Sequence, residues 1–440
     1  MSSVIRPLFI VIVISSLWGC DTFLGAVEPP PLPGKRIPIL VHDKMLEPDS
    51  LTNGKQILLP APTSNYSWPQ AGGYSNHAMH HIKVKRNITE AWSVNIGSGT
   101  DNTEWLIAQP ILADGHIYVM DAESEVAAIK ASSGKELWRV ELTPDDEDDA
   151  HIGGGLAYEA GKIYITTGFA ELICLDAKTG KVVWRRKFEA PFRTAPTVRS
   201  NRVYAVTLTN KLFAIQGTSG LTLWTHSGME EPTKLLGGAS PAVDSGVIVV
   251  TYSSGEVFAL KVENGKELWT DSLAGGQKTN SATTLATIRG RPIIDRGLVI
   301  VISNSGQLAA INLRTGRRIW DRNIGGIESP WVAGDFIFLL TNNSELIALS
   351  RREGKIHWVN PLSKWKDLED RTDRIMWTGP VLVSDRLIVA GSSGEALSIS
   401  PYNGQTLGKV ELPDGVTIGP IVVQDTIYFL SDNADLVAYR

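Results

Sequence analysis

Residues 109–138 read QPILADGHIYVMDAESEVAAIKASSGKELW, and much of the remaining chain copies them. Aligned on the closing Trp, the copies end at Trp138, Trp184, Trp224, Trp269, Trp320 and Trp358, and a seventh has Gly408 at that place. Four residues before each of these stands a glycine: Gly134, Gly180, Gly220, Gly265, Gly316, Gly354 and Gly404. Ten before stands a small residue: Ala128, Cys174, Ala214, Ala259, Ala310, Ala348 and Ser398. Within a copy, period-two alternation marks four short strands, as at 195–198, 202–206, 211–215 and 221–224. Four strands in a period of roughly 40 to 50 residues are the signature of a β-propeller.

The two ends of the repeat region complement each other. Glu90-Ala91-Trp92-Ser93-Val94 closes a repeat that has no beginning, and residues 419–440 begin one that has no end. Leu436 and Ala438 occupy the slots twelve and ten places before a Trp that does not follow. The strand of Trp92 is therefore expected to complete the last blade. The expected fold is all-β: an eight-bladed propeller of four-stranded antiparallel blades over 65–440, closed by an N-terminal strand so that no long edge is left unpaired. The turn before each closing strand needs a positive φ, which glycine supplies without steric cost. The small column is expected where strands crowd together near the hub, and the Trp column in the wider gap between blades further out.

Because a repeat that closes on itself counts as one unit, the 440 residues are read as one large folded domain. With 43% hydrophobic and 20% charged residues, there is ample material for a core. A net charge of −5 and a pI near 6.0 give no electrostatic case for binding nucleic acid or an anionic membrane surface. Two cysteines cannot build a disulfide network. One of them, Cys174, stands in the small column and is read as a buried core residue.

Residues 1–19 have one basic residue, Arg6, and then an apolar run too short to span a bilayer comfortably, the plan of a secretory signal. Leu17-Trp18-Gly19-Cys20 resembles a lipobox, which makes Cys20 the expected site of lipidation and membrane anchoring. Residues 20–64 are proline-rich and show neither period, so they read as a spacer; at about 3.1 Å per extended residue it reaches on the order of 100 Å.

Three other features invite a chemical reading. His77, His80 and His81 form a cluster of a common metal-ligating residue type, but no Cys, Asp or Glu stands beside them, and loop histidines usually bond backbone or water. The run PDDEDD at 144–149 offers oxygen ligands without the glycine or spacing of a calcium loop, and reads as solvated surface. The longest insertions, 272–289 and 361–377, are candidates for partner contact, the second as a short helix. No catalytic constellation or metal site stands out, and no cofactor is expected.

The patterns small-Pro-x-Val, Ile-Tyr-Val, Leu-x-Ala-Leu and Thr-Gly-Lys-x-x-Trp resemble the pyrroloquinoline-quinone-type propeller repeats over 88–440. Two branches of that superfamily come into question. Quinoprotein alcohol dehydrogenases use adjacent cysteines and a calcium-associated acid, whereas here Cys174 stands alone in the small column. The signal, lipobox, spacer and eight blades are more similar to the BamB family, the propeller lipoproteins of the outer-membrane β-barrel assembly machinery. That resemblance implies a non-enzymatic periplasmic scaffold, monomeric within a complex. It would bind the barrel subunit BamA and assist nascent outer-membrane proteins from the inner leaflet of the outer membrane.

The family's contact loop before the fourth blade reads Thr233-Lys234-Leu235-Leu236-Gly237-Gly238 here. Leu235 matches a family leucine, and Leu236 stands where better-known members carry arginine. The loop before the fifth blade is acidic in those members but reads Thr287-Ile288-Arg289-Gly290-Arg291-Pro292 here. The resemblance thus makes Leu235, Leu236, Arg289 and Arg291 the partner-binding candidates. Asp21 is a further departure, because in enteric bacteria Asp after the lipidated Cys favours the inner membrane. A quinone-binding dehydrogenase-like propeller or a ligand-sensing envelope propeller is the alternative reading.

Overall fold

The alternating stretches fold as antiparallel strands in sequence order, in the first blade Ile111–Ala113, His116–Met120, Glu125–Lys130 and Lys135–Glu141. The computed structural model describes residues 46–52, 55–147, 151–274 and 285–440. Seven four-stranded sheets have this order, and an eighth joins Ile421–Val423, Thr426–Leu430 and Asp435–Tyr439 to Glu90–Asn95 from the other end of the chain. That closing strand runs antiparallel, with Trp92 opposite Ala438 and Val94 opposite Leu436. The eight-bladed, N-terminally closed propeller is as expected. First strands of neighbouring blades touch around the axis, while fourth strands such as Lys135–Glu141 face outward. Among the described residues the one helical element is a short turn, Ser50–Thr52, and no helix is long and apolar enough to cross a membrane.

Trp and Gly of the repeat form clasps between blades. Trp138 donates its indole N–H to Ala177 O of the next blade at 3.1 Å, and Trp184, Trp224, Trp269, Trp320 and Trp358 repeat the bond at 2.7–3.1 Å. Trp92 makes the same bond to Ala131 O at 3.2 Å, so the closing strand clasps the first blade as the others clasp theirs. The indole lies against the next blade's turn glycine: a Cβ on Gly180 would stand 2.7 Å from Trp138 Cε3. Glycine is needed there twice, for that approach and for its φ of +71°.

The eighth joint has no clasp. Gly408 faces a blade in which strand Asp435–Tyr439 meets Glu90–Asn95 through Thr89–Arg440 backbone bonds of 3.1 and 2.9 Å rather than through a turn. No turn glycine or turn carbonyl is present there to receive an indole.

The small column is not at the hub. Ala128 lies on the third strand, opposite Tyr118 on one side and Trp138 on the other. The two rings meet across it with centroids 6.0 Å apart, as do Tyr164 and Trp184 across Cys174, and Phe338 and Trp358 across Ala348. In these blades the small residue makes room for a pair of aromatics on flanking strands; in others it faces Val249 or Ile300 on one side and Trp269 or Trp320 on the other, and in none does it lie on the strand at the axis. Just past this position the ladder shifts register in each of the seven continuous blades, and the residue that follows the shift on the closing strand is an exposed apolar one at Leu137, Val183, Leu223, Leu268, Ile319 and Leu407.

Residues 65–84 form a strap across the inner strands and bond to all eight blades. Trp68 exchanges backbone bonds with Leu112 at 2.7 and 2.8 Å. Pro69 O accepts from Tyr158 N–H at 2.7 Å, and the Gln70 side chain accepts from Val198 N–H at 2.8 Å. Ser75 O and Asn76 O accept from Val243 and Ile294 at 2.6 and 2.9 Å. His80 O takes the Trp331 indole N–H at 2.7 Å, Ile82 N–H reaches Leu382 O at 3.2 Å, and Asn65 bonds Val422 O and Gln424 N at 2.8 Å. A lone extended segment cannot satisfy its own backbone groups, so it borrows partners from the ends of the first strands.

The described part of the expected spacer also lies on the propeller. Ile57 is buried, and Asp49 and Thr52 bond Ile356.

The insertion at 361–377 is a hairpin, Trp365–Asp367 with Thr372–Arg374, and not the expected helix. The Asp367 carboxylate accepts from the N–H groups of Glu369 and Asp370, closing a turn in place of the first helical bonds. Trp377 then pins the hairpin's base with an indole bond to Ser363 O at 2.8 Å.

Candidate functional site

The strap and the loops leading into the first strands enclose a cavity of about 710 Å³ on the propeller axis. Trp68, Ala71, Gly72 and His77 of the strap line its floor, tied to the wall by Gly72 N–H to Gln109 Oε1 at 2.8 Å and by His77 to Pro292 O. The wall is built where each repeat turns inward, at Gln109, Ala195, Ser240, Arg291, Pro330, Pro380 and Pro420. Leu235, Leu236, Arg289 and Arg291 all line this one cavity, so the two loops singled out in the sequence converge.

The cavity is strongly basic for a chain of net charge −5. Its charged lining residues are Arg193, Arg289, Arg291, Arg374 and one acid, Glu328. Glu328 is already engaged: Oε1 lies 3.5 Å from Arg289 Nη1, and Oε2 accepts from Thr378 Oγ1 at 2.9 Å. Burial lowers the Arg291 guanidinium to about 10, and Arg289 beside it pushes the same way against Glu328. The Nε atoms of Arg193 and Arg291 are buried without a hydrogen-bond partner. Neither arginine makes an ion pair within 4 Å among the described residues. Arg193 and Glu328 escaped the sequence reading, because each lies in a non-repeating loop where no periodic position marks it.

The three histidines serve the strap. His77 Nδ1–H donates to Pro292 O at 2.8 Å, and burial, followed by the Arg291 charge, lowers its pKa to about 3, so the ring is neutral. His81 donates from Nδ1 to Pro60 O at 2.7 Å and accepts at Nε2 from Asp385 N–H at 2.9 Å, which occupies both ring nitrogens. His80 lies 3.6 Å from Asp295. Among the described residues no group of three or more His, Cys, Asp or Glu side chains is placed to hold a metal. The acidic run is described only through Glu147, which pairs with His151 at 3.7 Å. Cys20 and residues 275–284 of the longer insertion lie outside the described residues.

Cys174 is fully buried between Tyr164 and Trp184, and burial pushes its thiol up to about 12. The thiolate is the reactive species, so in a Cys20→Ala chain at pH 8 Cys174 should resist a thiol reagent until denaturant is added. Labelling of the native protein at the rate of the unfolded chain would contradict its place in the core.

Comparison with known proteins was made on sequence and on fold. The family model described as outer membrane protein assembly factor BamB matches residues 86–147 and 122–360. The outer membrane protein assembly factor BamB of Shigella dysenteriae is 29% identical over 325 residues, 73% of this chain and 80% of that protein. The one from Shewanella oneidensis is 26% identical over 346 residues, 77% and 85% of the two chains. Among solved structures, BamB from Moraxella catarrhalis superposes with a TM-score of 0.68 at 19% identity, covering 80% of this chain and 100% of its own. A quinohemoprotein alcohol dehydrogenase from Pseudomonas putida gives 0.66 at 14% identity, covering 87% and 83%. Resemblance at that identity is resemblance of fold.

Proposed function

Since the chain belongs to the outer membrane protein assembly factor BamB family, we propose that it is a non-enzymatic periplasmic scaffold that docks the barrel subunit BamA and assists the assembly of outer-membrane proteins. The observation that carries this reading is the convergence of Leu235, Leu236, Arg289 and Arg291 on one mouth of the propeller. A rigid ring holds loops from different blades in fixed relation, which lowers the ordering cost of docking a partner. The leucines supply apolar anchors and the more exposed Arg289 a polar rim, the usual division of an interface, with Arg291 behind it. Outward-facing fourth strands, with apolar Leu137, Val183, Leu223, Leu268 and Ile319 exposed, suit transient contact with extended client chains.

In this proposal residues 1–19 are removed, Cys20 carries lipid on the outer membrane's inner leaflet, 20–64 connect it to the folded unit 65–440, and the later part of that connection rests on the propeller. The test is capture of BamA by the tagged chain from solubilised envelopes. Wild type is expected to recover it, and Leu235→Asp with Leu236→Asp to weaken capture about 30-fold, the loss of one hot spot of about 2 kcal/mol. Absence of BamA from the wild-type eluate, with an unaltered outer-membrane profile in a deletion strain, would sink the proposal.

A further inference from the structure

We propose that the axial cavity is a binding site for a small oxyanion, a carboxylate- or phosphate-bearing molecule seated between Arg193 and Arg291 above the floor made by Trp68 and His77. Three observations carry it. The lining is unbalanced, with four arginines against one glutamate, and that glutamate is held by Arg289 and Thr378. Buried guanidinium groups ordinarily satisfy their N–H donors, because leaving one unmade costs about 1 to 3 kcal/mol and more for a charged group. Here the Nε atoms of the half-buried Arg193 and of the buried Arg291 are shut off from solvent without a partner, although they come from loops of different blades and line the same space. A ligand oxygen would give them what the protein does not.

The third observation is shape. A volume of about 710 Å³ lies within the roughly 300 to 1,000 Å³ of small-molecule sites. The strap closes the cavity at one end, so a bound molecule would be sheltered from bulk water and its charge interactions less screened. Leu235 and Leu236, both half-buried, offer apolar surface to the body of the molecule. His77 is not a donor to the anion: its Nδ1–H is spent on Pro292 O, the ring carries no charge, and its remaining nitrogen, Nε2, is an acceptor. Arg193 lies outside the loops 233–238 and 287–292 assigned to partner contact, so the site can be tested without altering them.

The experiment is calorimetric titration of the full chain in detergent with citrate and, separately, with inorganic pyrophosphate. Saturable binding of either at low salt is expected, and the better of the two identifies carboxylate or phosphate as the ligand chemistry. Arg193→Gln and Arg291→Gln should each weaken it about 10-fold or more, while Arg318→Gln, whose ion pair with Asp271 lies elsewhere, should leave it unchanged. Should both cavity variants unfold, the wild-type chain still decides: affinity must fall as salt rises. No saturation by either anion up to about 10 mM would overturn the assignment, as would binding that ignores salt or the two substitutions. BamA capture by Arg193→Gln is expected to match wild type, which separates failure of this site from failure of the docking proposal.

Discussion

Trp68→Ala is expected to lower the stability of the propeller by about 3 to 5 kcal/mol, the cost of truncating a fully buried large aromatic. Trp68 is 1% exposed, and its ring stacks on Trp331 with centroids 6.3 Å apart and planes 22° from parallel. Its backbone is fixed by the paired bonds to Leu112, so the strap cannot easily slide to fill the space left behind. The surrounding ring of blades is equally constrained, which argues for the upper part of the range. Equilibrium denaturant unfolding measures the effect. Tyr66→Ala, two residues earlier but 69% exposed, is the comparison and should change stability by less than about 0.5 kcal/mol. A loss below about 1 kcal/mol at Trp68 would mean that the strap rests on the propeller without supporting it.

Gly265→Val should be the most damaging single change among the turn glycines. It adds a β-branched side chain at a φ of +70°, and the first added carbon would stand 2.5 Å from Trp224 Cε3. Left-handed backbone in a non-glycine residue costs roughly 1–2 kcal/mol, and overpacking adds about 1–3 kcal/mol. Because Trp224 is held by its bond to Val262 O at 3.1 Å, relief requires giving up that clasp. Gly246→Ala isolates the two contributions: its φ is +77°, but nothing lies within 4 Å of its added carbon. It should lose only the backbone part. Equal losses at the two positions would show that the clasp contributes nothing to the joint between blades.

The Trp, Gly and small-residue columns make the blades legible, because six blades solve the same packing problem with the same three residue types and the seventh and eighth depart from it only at the joint between them. The strand of Trp92 could be assigned to the last blade for the same reason. Distance from the axis was not legible: the columns tell which residues face one another, and Ala128 between Tyr118 and Trp138 looks the same in sequence whether it sits at the hub or two strands out. The strap was hidden for the opposite reason. Asn65, Trp68, Gln70, Ser75 and His80 each meet a different blade, mostly through backbone atoms, so no period records them. The hairpin at 365–374 was mistaken because its turn is set by one carboxylate, Asp367, in a stretch whose charges read equally well as a helix face. Leu235, Leu236, Arg289 and Arg291 are marked by family resemblance, whereas Arg193 stands in no repeating column and is marked only by its place on the cavity wall.

The strap also sets a timetable. Its residues leave the ribosome before the blades they bind, yet Asn65 finds its partners Val422 and Gln424 only after some 357 further positions have been made. Trp92 likewise waits for Ala438. One late segment, Ile421–Val423 and the strands after it, thus completes the ring and fastens the strap in the same act. Contacts so distant in sequence make the last step slow, because loop closure must precede any gain from the contacts it allows. A nascent chain that stalls before residue 421 therefore holds seven blades and neither lock.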